Sequence, residues 1–196
     1  SPLNREGLRQ ANALAKRLKR LPVHEIYSSP IVRAAQTAKI VAKNYPKLKI
    51  KTEKNLEEVK WGFWPELGSF HYNRAYEIEE KLGTEDRLKL LGAIQNKGLD
   101  VLQTLYKSNT GKTILVFTHG NLIRAILSAI MESGIRGFLS LEVALASVTI
   151  LDLSDDTYSI VTVSDGCHNF NSGWLYSLYA ALYQDHNCTI RSAQQY

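Results

Sequence analysis

Several things are scarce in this sequence, and each scarcity excludes a class of protein. There are two cysteines, Cys167 and Cys188, in 196 residues. That is too few for a disulfide-dense scaffold, and their spacing matches no metal-ligand pattern. The pair is compatible with one disulfide or with two free thiols. No apolar run approaches the roughly 18 residues that a membrane-spanning helix needs. Lysine and arginine bring the net charge to +5 without forming a block, and no stretch interleaves aromatic with basic residues, so no nucleic-acid surface is indicated. Repeats and low-complexity segments are absent. No leader peptide stands at the start, but that excludes nothing, because Ser1-Pro2-Leu3-Asn4 reads as the middle of a domain and not as a natural N-terminus.

What remains is a chain that is 44% hydrophobic and 22% charged, which suits one globular domain with a proper core. The most informative stretch runs from Thr113 to Met131. Thr113 to Phe117 is a short β-branched and apolar run behind the turn-like Thr110-Gly111-Lys112, the pattern of a buried strand. Leu122, Ile123, Ile126, Leu127, Ile130 and Met131 then mark one face of a helix that Ser133-Gly134 ends. Between strand and helix stands Thr118-His119-Gly120. Gly120 admits close approach of a ligand to the backbone, and free amides at a helix start favour an anion. A histidine there faces that anion. On these residues alone, a histidine that merely caps the helix is an equally good reading.

The rest of the chain alternates helices and strands. Asn4 caps a helix predicted over 5–21, with Leu8, Ala11, Leu14, Ala15 and Leu18 on its apolar face and Pro22 behind it. Glu25 to Ser28 is a brief strand. Ser28-Ser29-Pro30 reads as a cap followed by proline at the first helical position, opening a helix to about Asn44. Leu48 to Thr52 is a weak strand. Asn55 to Gly83, with Trp61 and Trp64, is expected to be a long loop forming a lid or pocket wall. Thr84 caps a helix buried along Leu88, Leu91, Ile94, Leu102 and Leu105, in which Gly92 and Gly98 each cost about 1 kcal/mol against alanine. Residues 144–153 and 157–163 form two strands around the Ser154-Asp155-Asp156 turn. Alternation of this kind predicts a three-layer α/β/α domain on a mostly parallel sheet, with ligands at the carboxyl ends of the strands. The domain is expected to span 1–168. Residues 169–196 form an extension with a short amphipathic helix, which packs on the body or on a second copy of the chain in a homo-oligomer.

Several segments carry a resemblance. Ser29-Pro30-Ile31-Val32-Arg33-Ala34-Ala35-Gln36-Thr37-Ala38 resembles the S-P-x-x-R-A-x-Q-T-A motif of the histidine phosphatase superfamily, the phosphoglycerate mutase-like fold. Ser1 to Ala11, Leu56-Glu57-Glu58 with Trp61 to Trp64, Val116 to Gly120 and Ser164 to His168 are similar to other segments of that family, in its order. Pro65-Glu66-Leu67 departs from the family's usual E-G after the tryptophan.

The resemblance implies that Arg33 grips a phosphoryl group. It implies that His119, with Gly120, binds phosphoryl oxygens and that His119 stabilises transition-state charge. Glu58 becomes the general acid that protonates the leaving oxygen and then the base that activates water. His168 is structural. No metal and no cofactor are implied. The family's R-H-G, whose histidine is the nucleophile, occurs nowhere in the 196 residues. In the family it ends the first strand, in the middle of the sheet. The chain is therefore expected to be truncated, with neighbouring strands left unpaired and ready to aggregate or to borrow a strand from another chain. The implied activity is a cytoplasmic phosphatase that acts on a small phosphomonoester through a phosphohistidine. Phosphoglycerate mutase-type transfer and a non-catalytic phosphate-binding relative are the alternatives. The long glycine-rich insertion of the glycolytic mutases is not visible, which favours hydrolysis.

Overall fold

The computed structural model describes residues 1–59, 85–155, 157–169 and 192–195. The expected lid around Trp61 and Trp64, the Thr84 cap and the helix of the tail lie outside the described residues.

Helices pack on both faces of one sheet. Its strands are β1 (Glu25–Ser28), β2 (Ile50–Thr52), β3 (Ile114–Thr118), β4 (Val148–Leu153), β5 (Tyr158–Asp165) and β6 (Ser192–Gln195), in the order β2-β1-β3-β6-β4-β5. The β2/β1, β1/β3 and β3/β6 pairs are parallel, whereas β4 runs antiparallel to both β6 and β5. The helices are α1 (Arg5–Leu18), α2 (Val32–Ala42), α3 (Glu85–Ser108), α4 (Gly120–Ile130) and α5 (Gly134–Ser140). This is the mostly parallel α/β architecture read from the sequence.

β3 shows why its residues are apolar without alternation. A strand with helices on both faces has no solvent side. Leu115 and Phe117 join Leu14 and Leu18 of α1 and Ala38 and Val41 of α2 in one core. Ile114 and Val116 join Val101, Leu102 and Leu105 of α3 and Leu122, Ile123, Ile126 and Leu127 of α4 in the other.

Several expectations are corrected. α1 ends three residues early, because the Leu18 carbonyl accepts from the Leu21 amide and from the Tyr45 hydroxyl. The predicted strand over 144–153 begins only at Val148, since Ala144 to Ser147 forms a turn closed by the Ser147 amide on the Ala144 carbonyl. α5 was missed, as seven residues with two glycines carry little periodicity. Gly98 is a contact as well as a weak point in α3. A Cβ there would meet Ile126 Cγ1 at 2.6 Å, so glycine lets α3 lie close on α4. Ser29 and Pro30 do not open α2. Its N-cap is Ile31, without a side-chain cap.

The expected bare edge in the middle of the sheet is filled. β6, from the tail, lies between β3 and β4, pairing Thr118 with Gln195 on one side and Val148 with Gln194 on the other. The pairing expected from another chain is supplied instead by residues 192–195 of the same chain.

Candidate active site

The carboxyl ends of β1 and β3 lie side by side, and each delivers a residue to one corner. The Ser29 amide donates to the Phe117 carbonyl at 2.8 Å, which continues the β1/β3 ladder one step past β1. The chain then turns into α2, whose second residue is Arg33. On the neighbouring strand, Thr118 donates through Oγ1 to the Leu56 carbonyl at 2.7 Å. That bond, buried, anchors the 3-10 turn Lys54–Leu56 and so places Glu58 beside the end of β3. His119 is the N-cap of α4 and keeps extended backbone, φ −135° and ψ 161°. Gly120 follows as the first, buried residue of that helix.

The side chains converge. Arg33 Nη2 stands 3.8 Å from Glu58 Oε2, a loose ion pair with both partners partly exposed. Glu58 Oε1 accepts from the Val59 amide at 3.0 Å, and the Asn121 amide in the first turn of α4 favours the charged form of this carboxylate. Burial raises the Glu58 pKa. The Val59 amide, the Arg33 charge, the Asn121 amide and the Arg124 charge pull the other way without cancelling it. A carboxyl held above its ordinary range is suited to handing over a proton near neutral pH.

His119 is wholly buried. Its Nε2 lies 2.8 Å from Ser29 Oγ, and Nδ1 has no hydrogen-bond partner among the described residues. Burial first, and the Arg33 charge second, push its pKa down to about 4. At neutral pH it is an uncharged imidazole beside an arginine.

All four residues singled out from the sequence, Arg33, Glu58, His119 and Gly120, come to this corner. Arg124 was not singled out. It is the only charged residue in α4, and its charge acts on Glu58 and Glu142. Burial lowers its pKa, and its Nε is buried with no partner among the described residues. One cation on an otherwise apolar helix, five residues after the histidine, was the available signal.

A guanidinium, a raised carboxyl, a neutral imidazole and a helix N-terminus meet at the ends of parallel strands, an arrangement able to hold an anionic group. The chain belongs to the histidine phosphatase superfamily (branch 1), whose description matches residues 1–166. A metal-independent phosphoserine phosphatase of Arabidopsis thaliana is 30% identical over 185 residues, covering 89% of this chain and 76% of that protein. A 2,3-bisphosphoglycerate-dependent phosphoglycerate mutase of Thermoplasma acidophilum is 29% identical, covering 77% of this chain and 74% of the relative. The structure of a phosphoserine phosphatase mutant from Entamoeba histolytica, in complex with phosphoserine, superposes with a TM-score of 0.68 at 22% identity, covering 85% of this chain and 86% of that one.

Proposed function

We propose that the protein hydrolyses a small phosphomonoester, phosphoserine or a similar compound, through a phosphohistidine intermediate. The observation that carries the reading is the meeting of Arg33, Glu58 and His119 at one corner of the sheet. Arg33 holds two phosphoryl oxygens, and His119 with the first amides of α4 holds another. Glu58 protonates the leaving alkoxide and then takes a proton from the attacking water. The phosphatase domain ends near His168, and 169–196 is an extension that returns to the sheet through β6. The cytoplasm, where phosphorylated metabolites are made, is the proposed compartment.

The nucleophile is proposed to stand upstream of Ser1, at the end of a strand that takes the place between β3 and β4. Two observations support this. That place runs parallel to β3 and reaches the level of Thr118, next to His119. The Leu3 amide donates to Gln36 Oε1 at 2.7 Å, and Leu3 packs on Ala34 and Ala146, so the chain enters α1 from the side of the site.

The test compares residues 1–196 with the form extended upstream along its natural coding sequence. Only the extended form is expected to give an acid-labile phosphoenzyme and turnover that resists EDTA. Equal turnover by both forms, or loss in EDTA restored by a divalent metal, defeats the reading. In the extended form, Glu58→Gln is expected to slow hydrolysis of an alkyl phosphate about 10²–10⁴-fold. p-Nitrophenyl phosphate, whose leaving group needs no acid, is expected to be affected far less. Equal slowing of both substrates moves the acid role to another residue.

A further inference from the structure

The Ser29 side chain is free to do something other than cap α2. Its backbone is fixed to β3 by the amide bond to Phe117. Its Oγ accepts from the Ile31 amide at 3.2 Å and lies 2.8 Å from His119 Nε2. Both residues are wholly buried, so no solvent offers either of them another partner.

A hydroxyl has one proton to give and two lone pairs, and a neutral imidazole carries its single proton on one nitrogen or the other. Two arrangements satisfy the short contact. If Nε2 carries the proton and donates to Oγ, the serine accepts twice and its own proton is left without a partner. His119 Nδ1 then turns a bare lone pair toward the site, where it repels an anionic oxygen. If Oγ donates to Nε2, the serine is satisfied by one bond given and one received. The imidazole proton then sits on Nδ1, the ring atom that is buried without a partner among the described residues. A buried donor without an acceptor is unfavourable by itself and fits a site completed by its ligand. The depressed basicity of His119 agrees, because the ring must be neutral for the tautomer to matter.

We infer that Ser29 is a positioning residue: its hydroxyl donates to His119 Nε2, holds the imidazole in the Nδ1–H tautomer, and so makes His119 a neutral donor to a phosphoryl oxygen. The last clause rests on the reading of this corner as a phosphoryl site. The tautomer itself does not.

The experiment is a long-range proton–nitrogen correlation spectrum of ¹⁵N-histidine-labelled protein, residues 1–196, at neutral pH without ligand. His119 is assigned by its loss in His119→Gln. The expected pattern is that of Nδ1–H. An Nε2–H pattern in the unmodified protein overturns the proposal and needs no variant that has to fold. In Ser29→Ala the ring is expected to move toward Nε2–H, whereas Ser29→Thr, which keeps the hydroxyl, retains Nδ1–H. An unchanged tautomer in a folded Ser29→Ala overturns the proposal. A merely structural serine would lower stability and leave the tautomer alone. Titration of the same samples with inorganic phosphate is expected to show binding about tenfold weaker in Ser29→Ala, and near-normal binding in Ser29→Thr. Nδ1–H dependent on Ser29 but without phosphate binding supports the positioning role and refutes the phosphoryl site. Phosphate binding with Nε2–H does the reverse.

Discussion

His119 and His168 stand at two different corners of the same fold with much the same local description. Each is pushed to about 4 by burial first and by a nearby arginine second. Each has one ring nitrogen in a hydrogen bond and the other buried without a partner among the described residues. The difference lies in the arginines. Beside His168, Arg17 is fully occupied: Nη1 contacts His168 Nδ1 at 3.1 Å and donates to the Asp165 carbonyl at 3.1 Å, while Nη2 pairs with the Asp165 carboxylate. Burial alone would raise the Asp165 pKa, but the Arg17 bond and the Cys167 amide bring it below the ordinary value. Beside His119, Arg33 is held among the described residues only by a 3.8 Å ion pair. A perturbed histidine therefore does not mark a site by itself. A perturbed histidine beside an uncommitted guanidinium is a better mark.

The largest effect expected from this contrast is on catalysis. In the extended form, Arg33→Met should lower kcat/KM by about 10²-fold or more, as loss of a donor to transition-state charge does elsewhere. Arg17→Met, assayed well below its unfolding temperature, should change kcat/KM by less than about threefold. Similar losses for both variants would erase the distinction. The converse holds for stability. Arg17→Met strands the Asp165 carboxylate, 8% exposed, and should cost about 3 kcal/mol in denaturant unfolding. Arg33→Met, removing a loose and partly exposed pair, should cost under about 1 kcal/mol. Comparable losses from the two variants would mean that Arg33 is also a structural cation.

The smallest effect tests what the two corners share. Both histidines have a folded pKa of about 4, below the ordinary 6.5. Below pH 6.5 the unfolded chain takes up protons at these rings before the folded chain does. Their contribution to stability is full above 6.5 and is lost as pH falls from 6.5 toward 4, by up to about 1.4 kcal/mol per pH unit for each ring. Glu58, raised by burial, acts with the opposite sign and offsets the acid end of that window. Removing either ring, in His119→Gln or His168→Gln, should lower proton uptake on unfolding by about half a proton at pH 6.5, rising to about 0.9 at pH 5. No drop in either variant would contradict the buried, neutral state.

Legibility followed the physics of each segment. β1, β3 and the buried face of α3 were readable because apolar periodicity is local and both core faces demand it. The site was readable only through linked motifs, since a lone Thr-His-Gly is ambiguous. Ser29 misled because a serine before proline has the sequence of a cap, while its hydroxyl is claimed by His119, ninety positions away. β6 was invisible for a similar reason. A four-residue strand has too little period to read, and its place is set by edges that β3 and β4 present from far along the chain.

That placement of β6 makes the order of synthesis matter. Thr118 and Gln195 pair in the finished sheet. At about 5–20 residues per second, the ribosome makes β6 roughly 4–15 s after β3. During that interval β3, and β4 once it has been made, offer open edges to any passing strand, including one on a neighbouring nascent chain. A strand ahead of Ser1 would exist roughly 10–40 s before β6 at the same rate. It would occupy the middle of the sheet first, and the tail would emerge to find its place taken. Two segments able to fill one position would then be sorted by birth order, and only a chain lacking the earlier one would close on its own end.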